Sequence, residues 1–181
     1  NADGEVVALN PVEYYYNYKE KGNSINAKAF QKIIYKNRYP NIDVEYVFHP
    51  EKGIEYNYIL HPGADATQIQ MLYSDVSNMY LDKEKNLHLP TLFGDIIDYA
   101  PQTYYTASHE EISSQFELNE KTVSFKLADY NTSQEVVIDP WTVTPSMPNS
   151  NRIFCIEADS SGNAYIYGGD SPFKLQKYNI N

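Results

Sequence analysis

The sequence predicts an all-β fold: an antiparallel β-sandwich-like module followed by a single propeller-blade-like β-hairpin unit. Three observations lead to this prediction. Short runs in which apolar and polar residues alternate recur along the chain, and Gly, Pro, Asn and Lys separate them. Segments with helical periodicity are scarce. The 181 residues include 18 tyrosines against 7 phenylalanines and one tryptophan, and tyrosine favours strands and half-buried positions.

The clearest strand signal lies in residues 42–60, where "IDVEYVF" and "IEYNYIL" both alternate. The intervening "HPEKG" predicts a hairpin turn, because Pro50 presets a turn dihedral and Gly53 can adopt a positive φ. A register that places all the apolar residues on one face fixes the pairing. It sets Phe48 opposite Ile54, Tyr46 opposite Tyr56, Val44 opposite Tyr58 and Ile42 opposite Leu60.

Strands flank this hairpin on both sides. Upstream, "EYYYNYK" and "KAFQKIIYKN" predict two strands around a polar turn at 19–26. Downstream, Asp65 or Thr67 can cap a single helical turn before a strand through Ile69 and Met71. The segment "NMYLDKEKNLHLPT" predicts a hairpin about residues 83–86.

The last predicted strands of the module include one with a proline inside it. In "GDIIDYAPQTYY" we expect Pro101 to end the strand or to place it at a sheet edge, because proline cannot donate to a ladder. The segment "SSQFELNEKTVSFKLADYN" predicts another hairpin, and "QEVVIDP" predicts a final strand. Roughly ten strands before residue 141 suit a sandwich or an open barrel.

The composition changes after this strand, where Pro140, Pro145 and Pro148 lie close together in an asparagine-rich stretch. We therefore predict a module at 1–142, a linker at 143–151 and a strand–turn–strand unit at 152–181. In the last unit, "RIFCIEAD" places Cys155 on a strand as a buried structural thiol. In "ADSSGNAYIYGGD", residues 159–163 read as a tight turn.

Two stretches carry a family resemblance. "YKNRYPNIDVEYVFHPEKGIEYNYILHPGADATQIQMLY" resembles the domain of unassigned function that precedes SBBP-type β-propeller repeats in secreted and surface-exposed bacterial proteins. "DSSGNAYIYGG" resembles the core of one such repeat, although "IYGGD" departs from its usual threonine before glycine. The residues that match the domain are Tyr35, Asn37, Tyr39, Pro40, Ile42, Asp43, Glu55, Tyr56, Pro62, Gly63, Ala64 and Asp65.

The resemblance implies a non-catalytic structural or interaction module, with an adhesive role, in a large secreted or cell-surface bacterial protein exported by the type IX route. Residues 152–181 would then be the first SBBP-like repeat. Because one blade of a repeat fold buries only part of its faces, we expect the chain to be cut from a longer protein. Its partners would be other domains of the same polypeptide or a surface protein.

Charge and hydropathy exclude some partners. The net charge is −10, and the 14 Lys and Arg residues form no dense basic block, which argues against nucleic acid. An anionic membrane surface is disfavoured for the same reason. No apolar run approaches the roughly 20 residues of a membrane-spanning helix, so we expect no membrane insertion.

The sequence contains no nucleophile elbow, P-loop, zinc-protease or EF-hand motif, and we predict neither a cofactor nor a metal. In the predicted hairpin, His49 and His61 lie roughly 23 Å apart, too far to share one metal ion. The remaining histidines, His88 and His109, lack partners at metal-binding spacings, so each histidine is expected to be solvated or to act as a cap. Asp95 is expected in a turn and Asp98 facing solvent.

Two tyrosine clusters are the remaining candidates for a binding site. Residues 14–16 and 104–105 contain consecutive tyrosines. Exposed aromatic rings stack on sugars, so Tyr14, Tyr16, Tyr104 and Tyr105 predict an alternative function as a carbohydrate-binding module with a glycan ligand. The competing interpretation is a tyrosine-rich sheet face without a ligand.

Overall fold

The computed structural model describes residues 4–20, 23–49, 53–74, 76, 78–91, 94–143, 153–158, 164–168 and 174–178. The described chain is all-β and antiparallel, as the sequence predicts. Its strands are β1 (Val6–Glu20), β2 (Asn23–Tyr39), β3 (Ile42–His49), β4 (Gly53–Leu60), β5 (Met71–Leu72), β6 (Tyr80–Leu81), β7 (Leu87–Thr91), β8 (Gly94–Tyr105), β9 (Ser114–Asn119), β10 (Thr122–Leu127), β11 (Val136–Val143), β12 (Ile153–Ala158), β13 (Ala164–Gly168) and β14 (Lys174–Tyr178).

Two sheets of unequal width enclose the core. The large sheet has eight strands in the order β1-β2-β3-β4-β11-β8-β7-β6, and the small sheet has three in the order β5-β10-β9. The small sheet packs on one face of the large one, and the Phe125 ring on β10 lies 5.3 Å from the Tyr58 ring on β4. The most deeply buried apolar side chains come from both layers and include Ile42, Leu60, Leu87, Phe116, Val123, Val136 and Ile138.

The predicted β3–β4 register is confirmed at every pair, from Ile42 opposite Leu60 to Phe48 opposite Ile54. Even-numbered residues of both strands face the small sheet, and odd-numbered residues face outward. Burial follows this alternation only in part, because Ile42 is fully buried whereas Phe48, at the turn end of the same face, is exposed. The apolar face therefore extends beyond the small sheet.

Several smaller elements follow the predictions. A single helical turn, Ala66–Gln68, begins after Asp65, whose carboxylate accepts a hydrogen bond from the Thr67 amide. The strand after it is limited to β5, so Ile69 lies outside it. The hairpins β6–β7 and β9–β10 are present. The predicted turn at 19–26 is shorter, because β1 runs to Glu20 and β2 begins at Asn23.

The prediction that Pro101 ends its strand is wrong, because β8 continues to Tyr105 between β7 and β11. The β8–β11 pairing shifts register at this point, so that Ala100 and Pro101 together lie opposite Pro140. A β-bulge leaves a residue out of the ladder, so both prolines are tolerated there without an amide hydrogen. Pairing with β7 stops at Asp98, which leaves Pro101 at a local edge on that side.

The C-terminal strands form a sheet of their own, in the order β12-β13-β14. The predicted strand–turn–strand unit is present as β12 and β13, and β14 adds a third antiparallel strand. Cys155 lies on β12, as predicted, but its side chain is outside the described residues, as are the turn 159–163 and linker residues 144–151. No helix in the described ranges has the length and hydropathy of a membrane span.

We predict that Phe116→Ala lowers the free energy of unfolding by about 3–5 kcal/mol, because it leaves a cavity between the two sheets. Phe116 is fully buried, and its ring lies 5.3 Å from that of Phe125. Urea denaturation followed by tryptophan fluorescence measures the change. Leu72→Ala is the control, since Leu72 is 72% exposed, and we expect it to change stability by less than about 0.5 kcal/mol. Equal effects of the two substitutions would contradict a core centred on Phe116.

Candidate binding groove

The structure places two of the predicted tyrosines on opposite faces of β8. Tyr105 faces the small sheet, and its hydroxyl accepts a hydrogen bond from the Asn131 amide at 2.7 Å. Tyr104 faces outward, where its ring lies 5.6 Å from the His109 ring. Adjacent strand residues point to opposite faces, so Tyr104 and Tyr105 do not form one surface.

The other two predicted tyrosines, Tyr14 and Tyr16, belong to β1. Their side chains lie outside the described part of the structure. A glycan platform at the four tyrosines therefore stays a prediction.

A different group of aromatic residues lines a groove at the edge of the sandwich. The groove opens where β5 ends the small sheet while β3, β2 and β1 continue the large one. Its volume is about 870 Å³. We call it the tyrosine groove and define it by Tyr35, Tyr46, Phe48, Ile54, Tyr58 and Leu72, all of which line it.

A continuous row of rings connects the groove with the core. Ring centroids are 5.9 Å apart for Tyr35 and Tyr46, 6.5 Å for Tyr46 and Tyr56, and 6.0 Å for Tyr56 and Tyr58. These are normal distances for tilted and edge-to-face aromatic pairs. Tyr58 is 5% exposed, whereas Tyr35 and Tyr46 are 40% and 42% exposed. The buried end of the row therefore fixes the orientation of the rings that reach solvent.

The groove is poor in charge, although the chain carries a net charge of −10. Arg38 is the only charged residue among the described residues that line it. It forms no ion pair with any residue in the described part of the chain. Burial, more than any neighbouring charge, raises the pKa of Tyr46 and Tyr58, so their hydroxyls remain neutral and able to hydrogen bond.

A hydrogen bond connects the two sides of the groove. The Tyr39 hydroxyl on β2 donates to the carbonyl oxygen of Gln70 at 3.1 Å, and the Gln70 amide approaches the same hydroxyl at 3.4 Å. Gln70 lies directly before β5, so this contact positions the edge of the small sheet against the large one. The main-chain groups of Gln70 are therefore already engaged.

The outer face of the large sheet is polar and is organised around Asp43. Its carboxylate accepts hydrogen bonds from the Lys36 ammonium, the Asn37 amide and a ring nitrogen of His61, although Asp43 is only 1% exposed. Burial would raise the pKa of Asp43, but these three partners outweigh burial and lower it. The second ring nitrogen of His61 contacts Glu135 at 2.9 Å, so the cluster joins β2 and β3 to the segment before β11.

The histidines contact more carboxylates than their predicted solvated or capping roles imply. His49 lies 3.1 Å from Glu55, and His88 lies between Asp82 at 3.2 Å and Asp95 at 2.8 Å. Burial opposes protonation of His88, but its hydrogen bonds to these aspartates outweigh burial and raise its pKa. The described residues contain no cluster of three or more His, Cys, Asp or Glu arranged to hold a metal ion.

The expectation that Asp98 faces solvent is wrong, since this residue is 2% exposed. The bulge at Pro101 changes the alternation of β8, so Asp98 points toward the core side. Its carboxylate accepts hydrogen bonds from the Tyr56 and Thr142 hydroxyls. Burial raises the pKa of Asp98 despite these two donors. Asp98 is therefore buried, hydrogen bonded to Tyr56, and does not line the groove.

A second acidic cluster lies on the outer face, where β3, β4 and β11 adjoin. The Asn57 side-chain nitrogen lies 3.4 Å from Glu45 and 3.2 Å from Glu55. The side-chain oxygen of Asn57 and one carboxylate oxygen of Asp139 are buried and have no hydrogen-bond partner among the described residues. Burial is the largest cause of the raised pKa of Asp139, about 6, and the negative charges of Glu55 and Glu45 add to it.

The sequence pattern does not identify the tyrosine groove as a site. It did place Tyr46, Phe48 and Ile54 on the apolar face of a hairpin, and that assignment is confirmed. The sequence carries no signal for their exposure, because exposure depends on how far the small sheet extends.

We predict that Asp139→Asn removes a pH dependence of stability between about pH 7.5 and about pH 5. An acid whose pKa is raised to about 6 in the folded state binds its proton more tightly there than in the unfolded chain, where the value is 3.8. Its contribution to stability therefore grows as the pH falls through about 6. Urea denaturation of both proteins across this range measures the difference.

The matched control is Asp129→Asn, which removes one negative charge from an exposed position. We expect the control to retain the pH dependence of the unmodified protein. A dependence equally steep in Asp139→Asn and in the unmodified protein would contradict the role of Asp139.

Comparison of the sequence with known protein families matches residues 1–141 to the family described as a domain of unknown function, DUF7948. No curated protein and no solved structure matches the chain. The matched range covers more than half of the chain and includes β1 to β10 with most of β11. The chain therefore belongs to this family of domains of unknown function.

Proposed function

We propose that this chain is a non-catalytic interaction module of a larger secreted or cell-surface bacterial protein, and that it binds a polypeptide partner in the tyrosine groove. The observation that carries the proposal is the row of tyrosine rings that leaves the core and ends uncovered in a groove of about 870 Å³. The partner is another domain of the same polypeptide or a surface protein.

The exposed apolar surface of the groove supports a binding role. Ile54 is 59% exposed, Phe48 47% and Tyr46 42%, and the three lie on one face of adjacent strands. Contiguous apolar surface of this kind marks interaction sites, because exposing it to water is unfavourable. The volume of the groove lies within the range of ligand-binding clefts, about 300–1,000 Å³.

The chemistry of the groove supports a non-catalytic role. General acid–base catalysis uses groups whose pKa lies near the working pH. The groove offers tyrosines with raised pKa values and Arg38. The paired carboxylates and histidines, such as Asp43 with His61, lie on the opposite face of the large sheet.

The secreted or surface location and the place in a larger protein rest on the resemblance to domains that precede SBBP-type repeats. The antiparallel sheet β12-β13-β14 is compatible with a propeller-blade-like unit. An adhesive role would follow if the partner belongs to another cell.

A second candidate function is carbohydrate binding. The exposed rings of Tyr35 and Tyr46 lie in the same groove as Arg38, Gln31 and Gln70. Aromatic rings beside planar hydrogen-bonding side chains are a combination that suits a sugar ring. Tyr104, on the outer face, is a separate candidate for the same ligand class.

Selection of peptides from a random displayed library against the immobilised protein tests the proposal. We expect enriched peptides whose affinity falls about tenfold or more in Tyr46→Ser, because this change removes an aromatic anchor from the groove. Tyr99→Ser is the matched control, since Tyr99 is 43% exposed and does not line the groove. Fluorescence anisotropy with labelled peptides measures both affinities.

A glycan array run in parallel separates the two candidate functions. Peptide binding that Tyr46→Ser and Tyr99→Ser weaken equally would overturn the groove as the binding site. Glycan binding lost in Tyr46→Ser or Tyr104→Ala, without any enriched peptide, would replace the polypeptide proposal with the carbohydrate one.

A further inference from the structure

We propose that the polypeptide partner binds as an added β-strand: an extended segment with alternating apolar residues and a carboxylate at one end pairs with β5 at Leu72 and covers the tyrosine groove. This inference rests on the proposed function and specifies how the groove recognises its partner. Three features support strand addition: the difference in width between the two sheets, the direction of the main-chain groups on β5, and the charge of the groove.

The small sheet is narrower than the face on which it packs. β10 lies over β4, as the contact between Phe125 and Tyr58 shows, and β5 is the next strand of the small sheet in the direction of β3. Beyond β5 no further strand of the described chain covers the face of β2 and β3. One more strand, about 4.8 Å farther out, would lie above Tyr35 and Tyr46.

The edge of β5 presents main-chain groups that suit such a strand. Leu72 lies opposite Thr122 on β10, and the amide of the following residue, Tyr73, donates to the carbonyl oxygen of Lys121 on that side. Main-chain groups of successive strand residues point alternately to the two sides of a strand. The amide and carbonyl of Leu72 therefore point away from β10, toward the open edge.

The neighbouring main-chain groups limit the pairing to Leu72. The amide and carbonyl of Gln70 contact the Tyr39 hydroxyl, and the carbonyl oxygen of Ser74 accepts a hydrogen bond from the Lys121 ammonium. The added strand therefore gains one hydrogen-bonded residue pair, and its alternate side chains supply the remaining contacts with the groove. When a peptide binds at an exposed sheet edge, main-chain hydrogen bonds hold it and pockets select its alternate side chains.

Charge defines the chemistry of the incoming segment. Arg38 lines the groove without an ion pair among the described residues, and none of the described residues that line the groove carries a carboxylate. A segment of apolar residues with an acidic residue at one end matches this surface. A second copy of this chain is a poorer match, because each copy carries a net charge of −10.

The test uses a synthetic peptide of seven residues in which threonine and valine alternate before a terminal aspartate. Two further peptides carry N-methyl groups on all the valines or on all the threonines. In an extended peptide these two sets of amides point to opposite edges. We expect one methylated peptide to bind about tenfold more weakly than the other, because only one edge faces Leu72.

Variants of Leu72 provide the matching change on the protein. Leu72→Pro removes the outward amide without touching the pairing with β10, and proline is tolerated on an edge strand in this orientation. Leu72→Ala removes the side chain and keeps the amide. We expect the proline variant to lower affinity for the unmethylated peptide about tenfold relative to the alanine variant.

Several results would overturn the strand-addition proposal. The first is that the unmethylated peptide does not bind. The second is that the two methylated peptides bind with equal affinity. The third is that the two Leu72 variants bind the unmethylated peptide with equal affinity. The methylated peptides test the unmodified protein, so the first two results do not depend on the folding of a variant. A dimer that Leu72→Pro abolishes would assign the edge to a second copy and also overturn it.

The proposed function has a separate criterion, namely loss of library-selected peptide binding in Tyr46→Ser. Peptides that depend on Tyr46 but not on the amide of Leu72 would leave the interaction module intact and reject strand addition alone.

Discussion

The register of the β3–β4 hairpin is the constraint on which the rest of the structure depends. It sends the even-numbered residues, among them Ile42 and Tyr46, toward the small sheet and the odd-numbered residues, among them Asp43 and Glu45, to the outer face. A shift by one residue would exchange the two sets. It would bury the carboxylates against Phe125 and expose Ile42 to water, and both changes are costly. The same register therefore creates the core, the aromatic row and the polar outer surface.

The tyrosine groove follows from this register combined with an unequal number of strands in the two sheets. Every apolar residue of the face would be buried if the small sheet were wider, and the row of rings would then be ordinary core. Because the small sheet ends at β5, the rings of Tyr35 and Tyr46 stay exposed, while Tyr58 at the inner end of the row packs against Phe125. Rings fixed in this way lose little conformational entropy when a ligand covers them, which favours binding by a preorganised surface.

Buried carboxylates form hydrogen bonds between strands of the large sheet, which carries the groove. Asp43 joins β2 to β3, and through His61 and Glu135 it reaches the segment before β11. Asp98 on β8 accepts hydrogen bonds from Tyr56 on β4 and from Thr142 on β11. A buried carboxylate is tolerated only when donors surround it, so removing one donor is costly. These hydrogen bonds connect strands of the large sheet on both of its faces, including β2 and β3, which carry the exposed rings of Tyr35 and Tyr46.

The sequence by itself determined the all-β class, the hairpins and the register of β3–β4, because side-chain alternation and turn residues act over a few positions. Only the tertiary structure decided which part of the apolar face remains open, because that depends on where the small sheet, which packs on β4 through Phe125, ends at β5. It also decided the burial of Asp98, since the bulge at Pro101 reverses the alternation of β8. Local pattern specifies which face a residue occupies, whereas exposure depends on what another part of the chain places opposite that face.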